Sequence, residues 1–235
     1  HLSIRRQRQM CIRDRIGSIS DSHSIEIVAM GSYPSSGLKK GVVVNIDATT
    51  DAIQKSIEQA KNSFEGKIKN VFVGIAGNHI KSLNSHGIVG IKDKEVTQLD
   101  IEKVIDAAQA VAIPSDQRVL HVLPQEFVID DQDAIREPLG MSGVRLESHV
   151  HLVTCANNAI QNIEKCVKRC GIGIDGFVLE QLASSYSILS NDEKELGVCI
   201  VDIGGGTTDI AIFNNGSICF TGVIPIAGDQ VTSDI

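Results

Sequence analysis

Residues 198–213 read VCIVDIGGGTTDIAIF, and this stretch decides the fold because it spells a strand, a glycine turn and a second strand. Val198, Ile200 and Ile203 before the turn, with Ile210, Ala211 and Ile212 after it, supply the β-branched and apolar content of buried strands. Asn215-Gly216 then signals a hairpin into Ser217–Phe220. The glycines therefore turn one strand into the next. A P-loop needs GxxxxGK[ST], and a dinucleotide fingerprint needs GxGxxG opening a helix. Neither spacing is present in this stretch.

The residue types in the turn point to phosphate. A polyphosphate comes close to backbone only where no Cβ intrudes, so Gly204, Gly205 and Gly206 are expected to aim consecutive amides at phosphate oxygens. Thr207 and Thr208 add hydroxyl donors. Asp202 and Asp209 bracket the turn and are placed to hold water around Mg2+, a hard cation that keeps much of its hydration and takes one or two carboxylates beside the phosphates. The alternative reading of the same residues is a tight β-hairpin with surface carboxylates.

Upstream, Ile25–Met30, Val42–Val44 and Val71–Ile75 read as strands, and Asp47–Lys61 as a helix capped by Thr49 and Thr50. This order is that of a ribonuclease-H-like half-barrel. Thr97–Ala112 is a second helix, with Leu99, Ile101, Val104, Ile105, Ala108 and Val111 on its apolar side and Thr97 paired with Asp100 at its start. Arg118–Leu123 is a strand. Val144–Val153 is another, with Val144, Leu146, Val150 and Leu152 inward and Arg145, Glu147, His149 and His151 outward. Asn157–Cys170 is a helix stopped by Gly171, and Gly173–Val178 leads into a helix over Leu179–Leu189. Cys166 and Cys170 lie one turn apart without a second zinc pair, and His149 with His151 lacks a third ligand, so both pairs read as structural.

With HVLPQEFVIDD (His121–Asp131), IREPLGMSGVRLESHVHLVTC (Ile135–Cys155) and LASSYSIL (Leu182–Leu189) added to the glycine turn, the sequence resembles the FtsA family of bacterial cell-division proteins. The turn resembles the second phosphate loop of the wider superfamily of actin, sugar-kinase and heat-shock-chaperone ATPases. The resemblance implies an α/β, actin-like (ribonuclease-H-like) ATPase fold, incomplete, with a small inserted α+β subdomain. It implies residues 16–81 and 154–194 as two parts of a first subdomain, 82–153 as the insert, and 195–235 as the start of a second subdomain. It implies ATP and Mg2+ as cofactors, Gly204 to Thr208 as the phosphate site, Asp202 as a catalytic and metal residue with Asp209, and Glu180 as the helix-start residue that orients the attacking water. A plain helix-start carboxylate is the other reading of Glu180.

The function implied is a cytoskeletal adaptor, at most a slow ATPase. It polymerises, tethers the FtsZ ring to the inner membrane face at the septum, and recruits later division proteins through residues 82–153. FtsZ binding and membrane attachment are expected in a subdomain and an amphipathic helix that the 235 residues do not include, and the first phosphate loop of DIGTTK type, which the family has before Ile16, is expected to be missing here. The alternatives are a phosphotransferase of the sugar-kinase branch or a related pilus-assembly or chaperone ATPase.

Composition agrees. A net charge of −7 disfavours a nucleic-acid binder, and six cysteines with no secretory signal peptide read as reduced thiols. Residues 1–15, HLSIRRQRQMCIRDR, carry five arginines and one acid, and read as a non-native leader; a basic arm or amphipathic anchor is the alternative. Without them the charge is about −11.

Overall fold

The computed structural model describes residues 2–6, 11–19 and 25–233. In chain order its elements are β1 (Leu2–Arg6), β2 (Cys11–Ile19), β3 (Ile25–Pro34), β4 (Leu38–Lys39), β5 (Val42–Val43), α1 (Ile46–Lys61), β6 (Asn70–Ile75), β7 (Ile80–Gly90), α2 (Gln98–Gln109), β8 (Gln117–Ile129), β9 (Gln132–Ile135) and β10 (Arg145–Ala156). There follow α3 (Asn157–Arg169), β11 (Gly173–Leu179), α4 (Glu180–Ile188), α5 (Asn191–Leu196), β12 (Val198–Ile203), β13 (Thr208–Asn214), β14 (Ser217–Ile224) and α6 (Gly228–Ser233).

Two four-stranded sheets dominate, ordered β7-β10-β8-β9 and β1-β12-β13-β14. In the first, β10 pairs antiparallel with β7 (Arg145 opposite Gly90, Cys155 opposite Ile80) and with β8. Every residue of β10 from Val150 to Cys155 is buried, because both faces are covered. Leu146, Val150 and Leu152 lie under α2, where Val104 and Ala108 are fully buried. On the opposite face Val153 and Cys155 pack with Ile75, Ile160 and Leu179. The approach of α2 to the sheet is close: a Cβ at Gly87 would stand 2.2 Å from the Val104 carbonyl oxygen.

The alternation expected for this strand fails at two places. His151 is buried, not outward, because its face meets β14: Nδ1 lies 2.6 Å from Asn84 Oδ1 and Nε2 3.1 Å from Thr221 Oγ1. Val144 is exposed, since the strand starts one residue later. Leu99 and Val111, expected on the apolar side of α2, are also exposed; the helix ends at Gln109 and Val104 and Ala108 supply its buried seam. At its start, Thr97 and Asp100 form the expected capping box.

Helix α1 is capped by Asn45, whose Oδ1 accepts from the Ala48 N–H at 3.0 Å, in place of the expected Thr49 and Thr50. The two threonines lie inside the first turns and donate to the Asn45 and Ile46 carbonyls at 2.8 Å. The expected half-barrel does not appear as one sheet among the described residues: its strands lie in separate pairs, antiparallel β2-β3, antiparallel β4-β5 and parallel β6-β11. Strand β2 begins at Cys11, ahead of Ile16, and pairs with β3 with a register shift between Ile16 and Gly17; the backbone of Leu2–Arg6 runs parallel to β12 with Leu2 opposite Cys199.

The hairpin after β13 turns at Asn215 and Gly216, both at positive φ (48° and 72°), the twist-matched two-residue form. All six cysteines are unpaired. Among the described residues no helix is long and apolar enough to cross a membrane.

Candidate phosphate and cation site

The inward face of β12 reads Val198, Ile200, Asp202, and that of β13 reads Phe213, Ala211, Asp209. Four of these side chains build a small core with Ile218, and at the end of the sheet the apolar pattern gives way to two acids directly opposite each other. Like charges so placed repel. The turn between them is held from behind. Gly204 O accepts from the Gly228 N–H at 3.1 Å, and Gly205 O accepts from the Asp229 N–H at 3.0 Å, both at the start of α6.

A trans peptide sets its N–H opposite its C=O. With the carbonyls of Gly204 and Gly205 drawn to α6, the N–H groups of Gly205 and Gly206 in the same two peptide planes point away from it. No hydrogen bond within the described chain takes up either amide. Gly204 departs from expectation: its N–H donates to the Thr207 carbonyl at 2.9 Å, closing the turn, so two consecutive amides are presented instead of three. The threonines are also engaged internally. Thr207 Oγ1 donates to Asp209 Oδ2 at 3.0 Å, and Thr208 Oγ1 donates to the Ile226 carbonyl at 2.7 Å, so each supports the turn's shape.

The parallel pair β6-β11 delivers the third acid. Leu179 ends β11 and Glu180 begins α4. Gly74 on β6 leaves room for it: a Cβ there would lie 3.2 Å from Glu180 Cγ and 3.3 Å from Oε1. Behind it, the Leu179 N–H donates to His121 Nε2 at 3.0 Å, which fixes β8 to the start of α4. This bond assigns the neutral ring with its proton on Nδ1, and burial lowers the His121 pKa in the same sense. Gln181, fully buried, donates from Nε2 to Asp209 Oδ1 at 3.1 Å, while its Oε1 has no partner.

Glu180, Asp202 and Asp209 thus act on one another. Desolvation, then the charges of Asp209 and Asp202, push the Glu180 carboxyl up to about 7. The side chain keeps a solvent-exposed surface within its crowded surroundings, and that access moderates the rise. Burial, opposed by the Thr207 hydroxyl and reinforced by Asp202, pushes Asp209 up to about 6. A cation relieves this repulsion, and hard carboxylate oxygens suit Mg2+. Among the described residues no three His, Cys, Asp or Glu side chains converge closely enough to hold a metal by themselves. A cation here would complete its shell from phosphate and water, as Mg2+ does. An open basin of about 530 Å³ between Lys61, Phe64, Lys67, Lys69 and Gly171 contains none of these residues.

The sequence reading missed Gln181 and His121 as parts of the site. Gln181 left one signal, a polar residue directly after Glu180 in the first turn of a helix whose next position, Leu182, is apolar. His121 lies in the HVLPQEF stretch, and nothing local in the sequence points it at α4.

A strand, a glycine turn and a strand beside a parallel strand pair that ends in a helix-start acid, with a small α+β insert, define an actin-like ATPase fold. Two solved structures share it: a chain of the PilM-PilN type IV pilus biogenesis complex (TM-score 0.68, 14% identity, covering 95% of this chain and 61% of that one) and the ethanolamine utilization protein EutJ from Carboxydothermus hydrogenoformans (TM-score 0.51, 12% identity, 97% and 53%). Sequence narrows the class. The SHS2 domain inserted in FtsA matches residues 77–154, and the cell division protein FtsA model matches 199–235. Curated relatives named cell division protein FtsA match over 94% of the chain, at 66% identity in Pseudomonas aeruginosa, 51% in Neisseria meningitidis and 46% in Escherichia coli. The chain belongs to the FtsA family. It spans about half the length of these relatives, covering 53%, 53% and 52% of each.

Proposed function

We propose that this chain carries a phosphate and magnesium site of an ATP-binding division protein that polymerises and tethers the FtsZ ring to the inner membrane face. The observation that carries the nucleotide reading is the paired Gly205 and Gly206 amides, aimed away from α6 and without acceptors, beside three mutually repelling carboxylates. Two adjacent backbone donors form a concave anion nest, and the acids supply the charge for a hydrated cation between protein and phosphate. Bound Mg2+ would neutralise phosphate charge and orient the oxygens around it. The residues of the chain then divide the work. Gly205 and Gly206 bind phosphate, Asp202 and Asp209 hold the hydrated cation, and Glu180, with its pKa near neutrality, orients water for a slow hydrolysis that serves as a switch. Residues 82–153, which lie on a sheet distinct from the turn, form the surface for later division proteins and for neighbouring subunits.

The test is binding of a fluorescent ATP analogue to the full-length protein with and without Mg2+. Binding should require Mg2+, and Gly205→Val or Gly206→Val should weaken it by roughly tenfold or more, the value of one charge-assisted hydrogen bond. Binding indifferent to both substitutions would defeat the proposal. Acceleration of ATP turnover by a small-molecule acceptor would favour a phosphotransferase instead.

A further inference from the structure

We infer that Gln181 is a positioning residue of this site, clamping Asp209 so that its carboxylate meets the cation through water while Asp202, less buried, stands closer to it. The inference rests on the nucleotide reading above and adds a residue to it. Asp209 is one of few charged side chains buried in the described structure, at 5% exposure. Each of its oxygens already accepts one hydrogen bond from a buried neutral donor: Oδ2 from Thr207 Oγ1 at 3.0 Å, Oδ1 from Gln181 Nε2 at 3.1 Å. Two neutral donors from different elements, the turn and α4, fix the plane of the carboxylate without neutralising it. The remaining lone pairs then have one defined direction, which is what a second shell around a metal site requires.

Gln181 itself is poorly explained by packing. It is 0% exposed, and its Oε1 is buried without a donor, an arrangement that an apolar side chain of the same size would avoid. Its neighbours on the inner side of α4, Leu182 and Ser185, are buried with ordinary partners: Leu182 in the apolar core, Ser185 donating to the Leu182 carbonyl at 2.7 Å. The amide is held there for its Nε2, which reaches Asp209, while Oε1 stays buried without a donor. Thr207 performs the same task from the other side, which explains why a phosphate-turn threonine directs its hydroxyl inward.

The experiment measures the Mg2+ concentration needed for half-maximal binding of a fluorescent ATP analogue by the full-length protein, in the wild type, Gln181→Met, Gln181→Glu, Asp209→Asn and the Gln181→Met/Asp209→Asn double variant. Gln181→Met keeps the volume and removes the donor; the Mg2+ requirement should rise about tenfold or more, the usual effect of losing an outer-shell partner. Gln181→Glu places a carboxylate against Asp209 and should raise it further, which decides the matter if Gln181→Met does not fold. The diagnostic result is the double variant: with Asp209 already neutral, removing Gln181 should add nothing to the Mg2+ requirement, whereas a purely structural role predicts additive effects. Unchanged Mg2+ dependence in both Gln181 variants, or additivity in the double variant, overturns the inference while the nucleotide site stands. Absence of Mg2+-dependent binding in the wild type overturns both.

Discussion

The insert sheet and the sheet that carries the glycine turn meet along β14, yet the insert and the turn follow opposite designs. In the insert, most polar groups are paired, Ser148 Oγ on β10 being a buried exception: α2 has its capping box, His151 has a partner at each ring nitrogen, and β10 is buried on both faces over Val150–Cys155. At the turn, Gln181 Oε1 and two glycine amides lack partners and three acids repel one another. The first region is optimised for holding its shape. The second gives up stability for groups that a ligand can use, the pattern expected of a binding site.

That contrast can be broken by mutation, and the largest effect should come from the insert. Leu152→Ala, at a fully buried position under α2, should lower the unfolding free energy by about 2–5 kcal/mol in a denaturant titration. A loss below 1 kcal/mol would mean that the insert is looser than its packing implies. His151→Ala should cost about 1–3 kcal/mol, since it leaves Asn84 and Thr221 without their ring partner. Hydrogen exchange should show the added opening shared by β7 and β14, the two strands His151 joins. Thr97→Ala should cost about 1 kcal/mol through loss of the α2 cap, read from the same titration.

The smallest expected effect has the opposite sign and belongs to the turn. Because the folded pKa of Glu180 is raised from 4.5 to about 7, the folded state binds the extra proton between these values, and ligand-free stability falls as pH rises through that window. Glu180→Gln removes this loss. It should leave the thermal midpoint nearly unchanged near pH 4 and raise it slightly near pH 8, a stability gain of less than about 1 kcal/mol because the side chain is partly solvated. A lower midpoint at pH 8 would show that the carboxylate stabilises the fold and would erase the contrast.

Local signals were legible in the sequence. The Thr97–Asp100 box, the Asn215-Gly216 turn, the Gly171 stop and the D-x-G-G-G-T-x-D string each depend on residues a few positions apart, and each appears where expected. What failed was decided from a distance. His151 looked outward because alternation says nothing about β14, whose Thr221 is 70 positions along the chain. The threonines of α1 lost the cap to Asn45 because a side chain one turn earlier reached the free amides first. Gly204 looked equivalent to its two neighbours, yet its amide closes the turn, a matter of peptide orientation that composition does not encode.

One contact carries further than its two short bonds suggest. Since the carbonyls of Gly204 and Gly205 hang on the first amides of α6, the aim of the opposite N–H groups is coupled to where that helix lies. A small roll of α6 would swing both peptide planes together, like slats on a common cord, and spoil or restore the proposed phosphate cradle in one movement. Whatever presses on α6 from outside therefore has a mechanical handle on the glycine turn.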